Sequence, residues 1–232
     1  MEQYINKIIH ADCMDILKQL PDKCIDLVLT DPPYGGGGQV KERSQKPLGG
    51  GIFDKYEIKA TRTGGTWNKK YAKGDSSANY VTHWDIAPSQ EVFEEIFRVS
   101  KNQIIWGGNY FLLPPTRCFN IWKKLTISEN FTMAMAEYAW TSFNDNAKVW
   151  EFAPQDKNRF HPTQKPVKLI ENQLRLYSNE NDIILDCFSG SGTTAIACHN
   201  LNRRFICIEK DKDYYKASVE RLLNAQAQQK LF

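Results

Sequence analysis

The chain has 232 residues, 41% of them apolar and 12% aromatic, which suits one domain with a real core and room for an insertion. The formal net charge of +3 does not by itself argue for a nucleic-acid partner. No stretch approaches the roughly 18 apolar residues of a membrane span, and Met1 to Ile9 lacks the apolar run of a signal peptide, so a soluble, cytoplasmic protein with no membrane partner is expected.

Taken in chain order, residues 5–12 read as a short strand leading to Asp12, and a helix follows from Cys13 to Leu20, stopped by Pro21. Cys24 to Thr30 is a compact run of branched apolar residues, the pattern of a buried strand, and it runs straight into Asp31-Pro32-Pro33-Tyr34. Residues 35–80 carry nine Lys/Arg against four acids and hold ten of the fourteen glycines. Such a stretch is expected to be a mobile insertion that packs no core of its own. A helix is expected over about 89–99, then a strand Gln103 to Trp106 closed by Gly107-Gly108.

Residues 117–152 read as three strands dense in aromatics. Pro162 and Pro166 bracket a rigid turn, and Pro166 can open a helix to about Tyr177. Asp182 to Cys187 is a second buried strand and leads into Phe188-Ser189-Gly190-Ser191-Gly192-Thr193-Thr194. A helix to about Leu201, a strand Arg204 to Glu209, and a last helix capped by Asp211 complete the chain. Strands alternating with amphipathic helices indicate an open α/β fold, a doubly wound and mostly parallel sheet with helices on both faces. The aromatic segment is expected to add an antiparallel edge strand.

Cys13, Cys24, Cys118, Cys187, Cys198 and Cys207 form no Cys-x-x-Cys pair, and the four histidines are scattered, so no metal centre is expected. Cys24, Cys187, Cys198 and Cys207 lie in or beside apolar runs and read as buried free thiols.

Two turns carry the chemistry. Strand, Gly190-Ser191-Gly192-Thr193-Thr194-Ala195, helix, and a next strand ending in Glu209 satisfy G-x-G-x-x-A in its proper setting. The glycines let a ligand approach the backbone, and the acid is placed to take ribose hydroxyls. The ligand is either a nicotinamide dinucleotide or S-adenosylmethionine. Only 42 residues follow Gly190, so the sheet must be completed by upstream strands and the cofactor half is C-terminal. That order favours S-adenosylmethionine. No Walker A pattern occurs.

The second turn is Asp31-Pro32-Pro33-Tyr34, at the end of a buried strand, where ligands of open parallel sheets bind. Two prolines fix the backbone and remove two N–H donors. The Asp31 carboxylate and the Pro32 carbonyl are acceptors, and Tyr34 offers a flat face. Together they suit a planar base bearing an amino group. Accepting the amine protons favours a pyramidal nitrogen and stabilises the positive charge that develops as it takes a methyl group. The amine is out of reach inside a duplex, so the base must flip out.

Both motifs, in this order, resemble the permuted (β) group of DNA amino-methyltransferases, the adenine-N6 and cytosine-N4 enzymes, and the short chain is similar to solitary phage and prophage members. The resemblance implies a Rossmann-like methyltransferase fold that transfers methyl from S-adenosylmethionine to adenine N6 at specific sites in double-stranded DNA. Cytosine N4 is the alternative, and a nicotinamide-dependent oxidoreductase a remote one. Asp31 favours adenine, because relatives acting on cytosine more often carry serine there. By resemblance, Asp31, Pro32, Pro33 and Tyr34 are catalytic, and Asp31 is also among the cofactor-binding residues. Asp12 and Cys13 lie near the cofactor adenine, with Phe188 flanking it. Thr163, Gln164 and Lys165 lie beside the methionine end. Asp186, Ser189, Gly190, Ser191, Gly192 and Thr193 form the cofactor turn, Glu209 binds ribose, and Lys210 follows it. Asn109 is placed at a pocket-lining strand end.

One methyltransferase domain over 1–232 is expected, with a small target-recognition region at 111–160 and a cofactor-binding half at 161–232. Lys41, Arg43, Lys46, Arg62, Lys69 and Lys70 of the basic insertion are expected to contact DNA. A homodimer and a paired restriction nuclease are admitted as further partners.

Overall fold

A computed structural model describes residues 1–35, 85–127, 134–154 and 159–229. The strands are β1 (Lys7–His10), β2 (Ile25–Thr30), β3 (Ser100–Trp106), β4 (Phe119–Lys124), β5 (Ala136–Thr141), β6 (Lys148–Phe152), β7 (Ile183–Asp186) and β8 (Arg204–Glu209). The helices are α1 (Cys13–Leu17), α2 (Gln90–Val99), α3 (Val167–Tyr177), α4 (Thr193–Asn200) and α5 (Lys212–Gln229).

All eight strands join one sheet in the order β1-β8-β7-β2-β3-β5-β4-β6. The first five run parallel, and β6 pairs parallel with β4. The antiparallel strand expected in the aromatic segment is β5, which sits between β3 and β4, third from the edge. The outermost strand, β6, runs in the same direction as the parallel set. This is a mostly parallel α/β sheet wound on both faces.

Side-chain alternation explains why both faces are covered. Leu27, Leu29, Ile104, Trp106, Ile184, Phe205 and Cys207 point into one core with α3, α4 and α5. Val28, Ile105, Ile183, Leu185, Ile206 and Ile208 point into the other with α1 and α2. A strand covered on both sides must be apolar at successive positions, which is why β2, β7 and β8 read as continuous runs. Cys13, Cys118, Cys187, Cys198 and Cys207 are all buried, whereas Cys24 is only half-buried.

From β7 the chain passes through α4 to β8, toward β1. From β2 it reaches β3 on the opposite side. The adjacent pair β2 and β7, with Val28 opposite Leu185, is therefore the point where the winding reverses, the crevice in which open α/β sheets bind ligands.

Candidate active site

The two sequence motifs meet at this reversal. The Thr30 hydroxyl, closing β2, donates to Asp186 Oδ1 at the end of β7 (2.8 Å). Asp186 also accepts the Phe188 N–H (3.1 Å) and the Thr194 hydroxyl (2.6 Å), so one buried carboxylate ties both turns together. Burial pushes its carboxyl up to about 6, against the pull of the three donors. A cavity of about 760 Å³ opens on the rim. Every residue singled out in sequence for catalysis or cofactor lines it, except Gly192.

At the glycine turn, Gly190 (φ +50°) and Gly192 (φ +73°) adopt left-handed backbone, which glycine takes without steric cost. The Gly190 N–H donates to Glu209 Oε2 (2.7 Å) and the Asp211 N–H to Oε1 (2.8 Å). This fixes the acid at the end of β8 on the cavity wall, and burial holds its carboxyl above the ordinary range. Gly192 serves packing: a Cβ there would lie 3.1 Å from the Ser218 Cβ and 3.3 Å from Ile8.

Asp12 caps α1, accepting the Met14 N–H (3.0 Å), and takes the Lys210 ammonium (2.8 Å). The Lys210 hydrogen bond holds the Asp12 carboxyl below its usual value despite partial burial. The Cys13 thiol is pushed up to about 12 by burial and the Asp12 charge, so it stays protonated and inert. His161 packs its ring edge-on to Tyr214 (centroids 4.3 Å apart), and a Cβ at Gly190 would meet that ring at 3.3 Å. Burial, with Arg159 and Lys165 nearby, pushes His161 down to about 4, leaving it neutral. The turn carrying Thr163, Gln164 and Lys165 is thereby seated against the glycine turn.

On the other side, the Tyr34 hydroxyl donates to Asp31 Oδ1 (2.7 Å), and the Lys165 ammonium bonds Asp31 Oδ2. The Tyr34 ring is stacked on Tyr110 (4.7 Å between centroids, 19° between planes). The stacking platform expected at Tyr34 thus already has an aromatic partner. Asn109, in a short turn (Gly108–Tyr110) after β3, is exposed and is not on the cavity wall.

The family model described as DNA methylase, for the N6/N4 methyltransferases, matches residues 66–220. The chain belongs to this family. The methylase is 28% identical to the type II methyltransferase M.BglII of Bacillus subtilis, over 92% of this chain and 68% of that protein. It is also 28% identical to M.HpaI of Haemophilus parainfluenzae, over 93% and 74%. The fold is shared with a crystal structure of M1.HpyAVI in complex with SAM (22% identity, TM-score 0.56, 93% of this chain and 98% of that one). It is shared as well with the PvuII DNA methyltransferase, a cytosine-N4-specific enzyme (15% identity, TM-score 0.54, 94% and 90%).

Sequence reasoning about this methylase missed Trp106, which lines the cavity, and Glu137 and Tyr110, which contact its residues. A lone acid inside the aromatic run MAEYAW was the available signal for Glu137. The six basic residues expected on DNA, Lys41, Arg43, Lys46, Arg62, Lys69 and Lys70, lie outside the described residues. Among the described residues, no group of His, Cys, Asp and Glu is placed to hold a metal ion, and no helix is long and apolar enough to cross a membrane.

Proposed function

We propose that this methylase transfers a methyl group from S-adenosylmethionine to the exocyclic N6 of a flipped adenine at specific sites in double-stranded DNA. The observation that carries the reading is the sharing of one cavity by the Asp31 turn and the glycine turn, across the β2–β7 junction.

The cavity suits the cofactor. Its volume is that of a small-molecule site. Its wall presents a left-handed glycine turn, a carboxylate at the end of β8 for ribose hydroxyls, and the half-buried ring of Phe188. Phe188, Asp12 and Cys13 would hold the adenine end, Glu209 the ribose, and Thr163 and Gln164 the methionine end. When bound, S-adenosylmethionine supplies an electrophilic methyl group.

The protein's own part is played at the other end of the cavity. The Asp31 carboxylate and the Pro32 carbonyl accept the two amine hydrogens and turn the nitrogen lone pair toward the cofactor half. Asp31 is the base placed to receive the proton the amine sheds. The aromatic pair Tyr34 and Tyr110 supplies the stacking surface for the base. Asp186 acts by joining the two turns, accepting from Thr30, Phe188 and Thr194.

Hydrolysis of DNA treated with the protein and labelled S-adenosylmethionine should place the label in N6-methyladenine. Label in N4-methylcytosine would move the reading to the alternative base, and no label at all would end it. The basic 35–80 stretch is proposed to neutralise phosphates. Its deletion should flatten the fall of log DNA affinity with log salt by several counterions, each neutralised phosphate contributing a slope of about 0.9. An unchanged slope would remove that role.

A further inference from the structure

Lys165 does not aim at the glycine turn beside which it lies. Its ammonium reaches across to Asp31 Oδ2, lies 3.2 Å from Glu137 Oε2, and sits 4.9 Å above the Trp106 ring. The side chain is 5% exposed. Glu137, from β5, turns its other oxygen to Lys124 of β4 at 2.6 Å. Four charges of alternating sign, Asp31, Lys165, Glu137 and Lys124, therefore run from the catalytic turn into the antiparallel part of the sheet.

The order of charges matters because of what Asp31 must do. A carboxylate can accept an amine hydrogen and later a proton; a neutral acid has spent one oxygen as a donor. Burial pushes the Asp31 carboxyl up, toward the neutral form; Lys165 opposes this, while Glu137 adds to it. Burial would likewise discharge Lys165, but Asp31 and Glu137 together outweigh it and hold the ammonium above its ordinary value. The other groups facing Asp31 are the Tyr34 hydroxyl, which donates to it, and Asp186, which lies across Thr30. Lys124 faces Glu137, and Tyr110 covers Tyr34.

We propose that Lys165 is a positioning residue for the reaction: it keeps Asp31 ionised and aimed at the target amine, and Glu137 anchors it in that place. The inference rests on Asp31 as the acceptor of the amine. It replaces the cofactor contact that the sequence suggests for Lys165.

The two roles separate in measurement. The experiment is kcat against pH on unmethylated bacterial genomic DNA at saturating S-adenosylmethionine, with cofactor affinity by calorimetry. In Lys165→Met, kcat at neutral pH should fall roughly 100-fold. The acidic limb of the profile should move to higher pH, because Asp31 loses its compensating charge but keeps the repulsion of Glu137. Cofactor affinity should change by less than about threefold, which also certifies the fold. Adding Glu137→Gln to Lys165→Met should recover about tenfold, since removing the like charge relieves the stranded carboxylate. Lys165→Arg, which keeps the charge, should leave the acidic limb near its wild-type position and keeps the test alive if the Met variant does not fold. Weakened cofactor binding with an unmoved acidic limb would overturn the proposal, as would an Arg variant whose limb shifts like that of Met. A wild-type protein inactive on DNA would instead strike the proposed function.

Discussion

Asp31→Ala is expected to abolish methyl transfer while leaving S-adenosylmethionine binding nearly intact. The substitution removes the carboxylate proposed to grip the amine and receive its proton. Losing one preorganised electrostatic partner costs about 10²–10³ in rate, and losing a proton acceptor a comparable factor, so kcat should drop by at least about 10³. Cofactor affinity should stay within a few-fold, because the glycine turn keeps its own supports: Glu209 holds the Gly190 N–H, and Asp186 holds Phe188 and Thr194. Stability will also suffer. Lys165 keeps Glu137 and the Trp106 ring but loses its Asp31 partner, and the Tyr34 hydroxyl loses its acceptor in a part-buried site. Single-turnover transfer of labelled methyl, with calorimetry on the same sample, checks both halves. A variant that turns over within tenfold of wild type would remove Asp31 from the chemistry.

The parallel half of the fold was legible because its signals are local. In β2, β7 and β8 successive apolar residues serve two cores at once, and each run ends in a turn of distinctive composition. That upstream strands complete the sheet was also legible, but which of them lies beside β7 was not. The place of β5 was not legible. An antiparallel strand inserted between β3 and β4 satisfies the same period-two pattern as one at the edge, and only long-range pairing distinguishes them. The charge array was hidden for a related reason. Asp31 and Lys165 are 134 residues apart, and an ion pair at that separation leaves no periodic trace. Lys165 was noticed through its motif, but its direction belongs to the tertiary structure. The turn after β3 is the third case: Gly107-Gly108 read as the end of a strand, and nothing local says which side chains press upon it.

Those side chains make Gly107→Ala the more revealing substitution. Gly107 has φ +66°, and a Cβ there would fall 2.0 Å from Tyr34 Cε1 and 2.5 Å from Cζ, far inside any real contact. Neither side can yield easily. The Gly107 N–H is fixed on the Tyr138 carbonyl (2.8 Å), while Tyr34 is held by its bond to Asp31 and its stack on Tyr110. The left-handed backbone alone costs alanine about 1–2 kcal/mol, and with the clash about 3 kcal/mol is expected. For a chain of this size that lowers Tm by roughly 6–12 °C. Activity should fall by more than stability suggests, about 100-fold in kcat, because displacing Tyr34 drags the Asp31 carboxylate off its aim. Gly107 is not on the cavity wall, so cofactor affinity should hold. The decisive comparison is the double variant Gly107→Ala with Tyr34→Ala. Deleting the ring removes the obstacle, so in a Tyr34→Ala background Gly107→Ala should cost only the left-handed backbone, about 1–2 kcal/mol, while kcat does not return. If Gly107→Ala instead melts and turns over like wild type, Tyr34 is not wedged between that glycine and Tyr110, and the stacking surface proposed for the base has no fixed position.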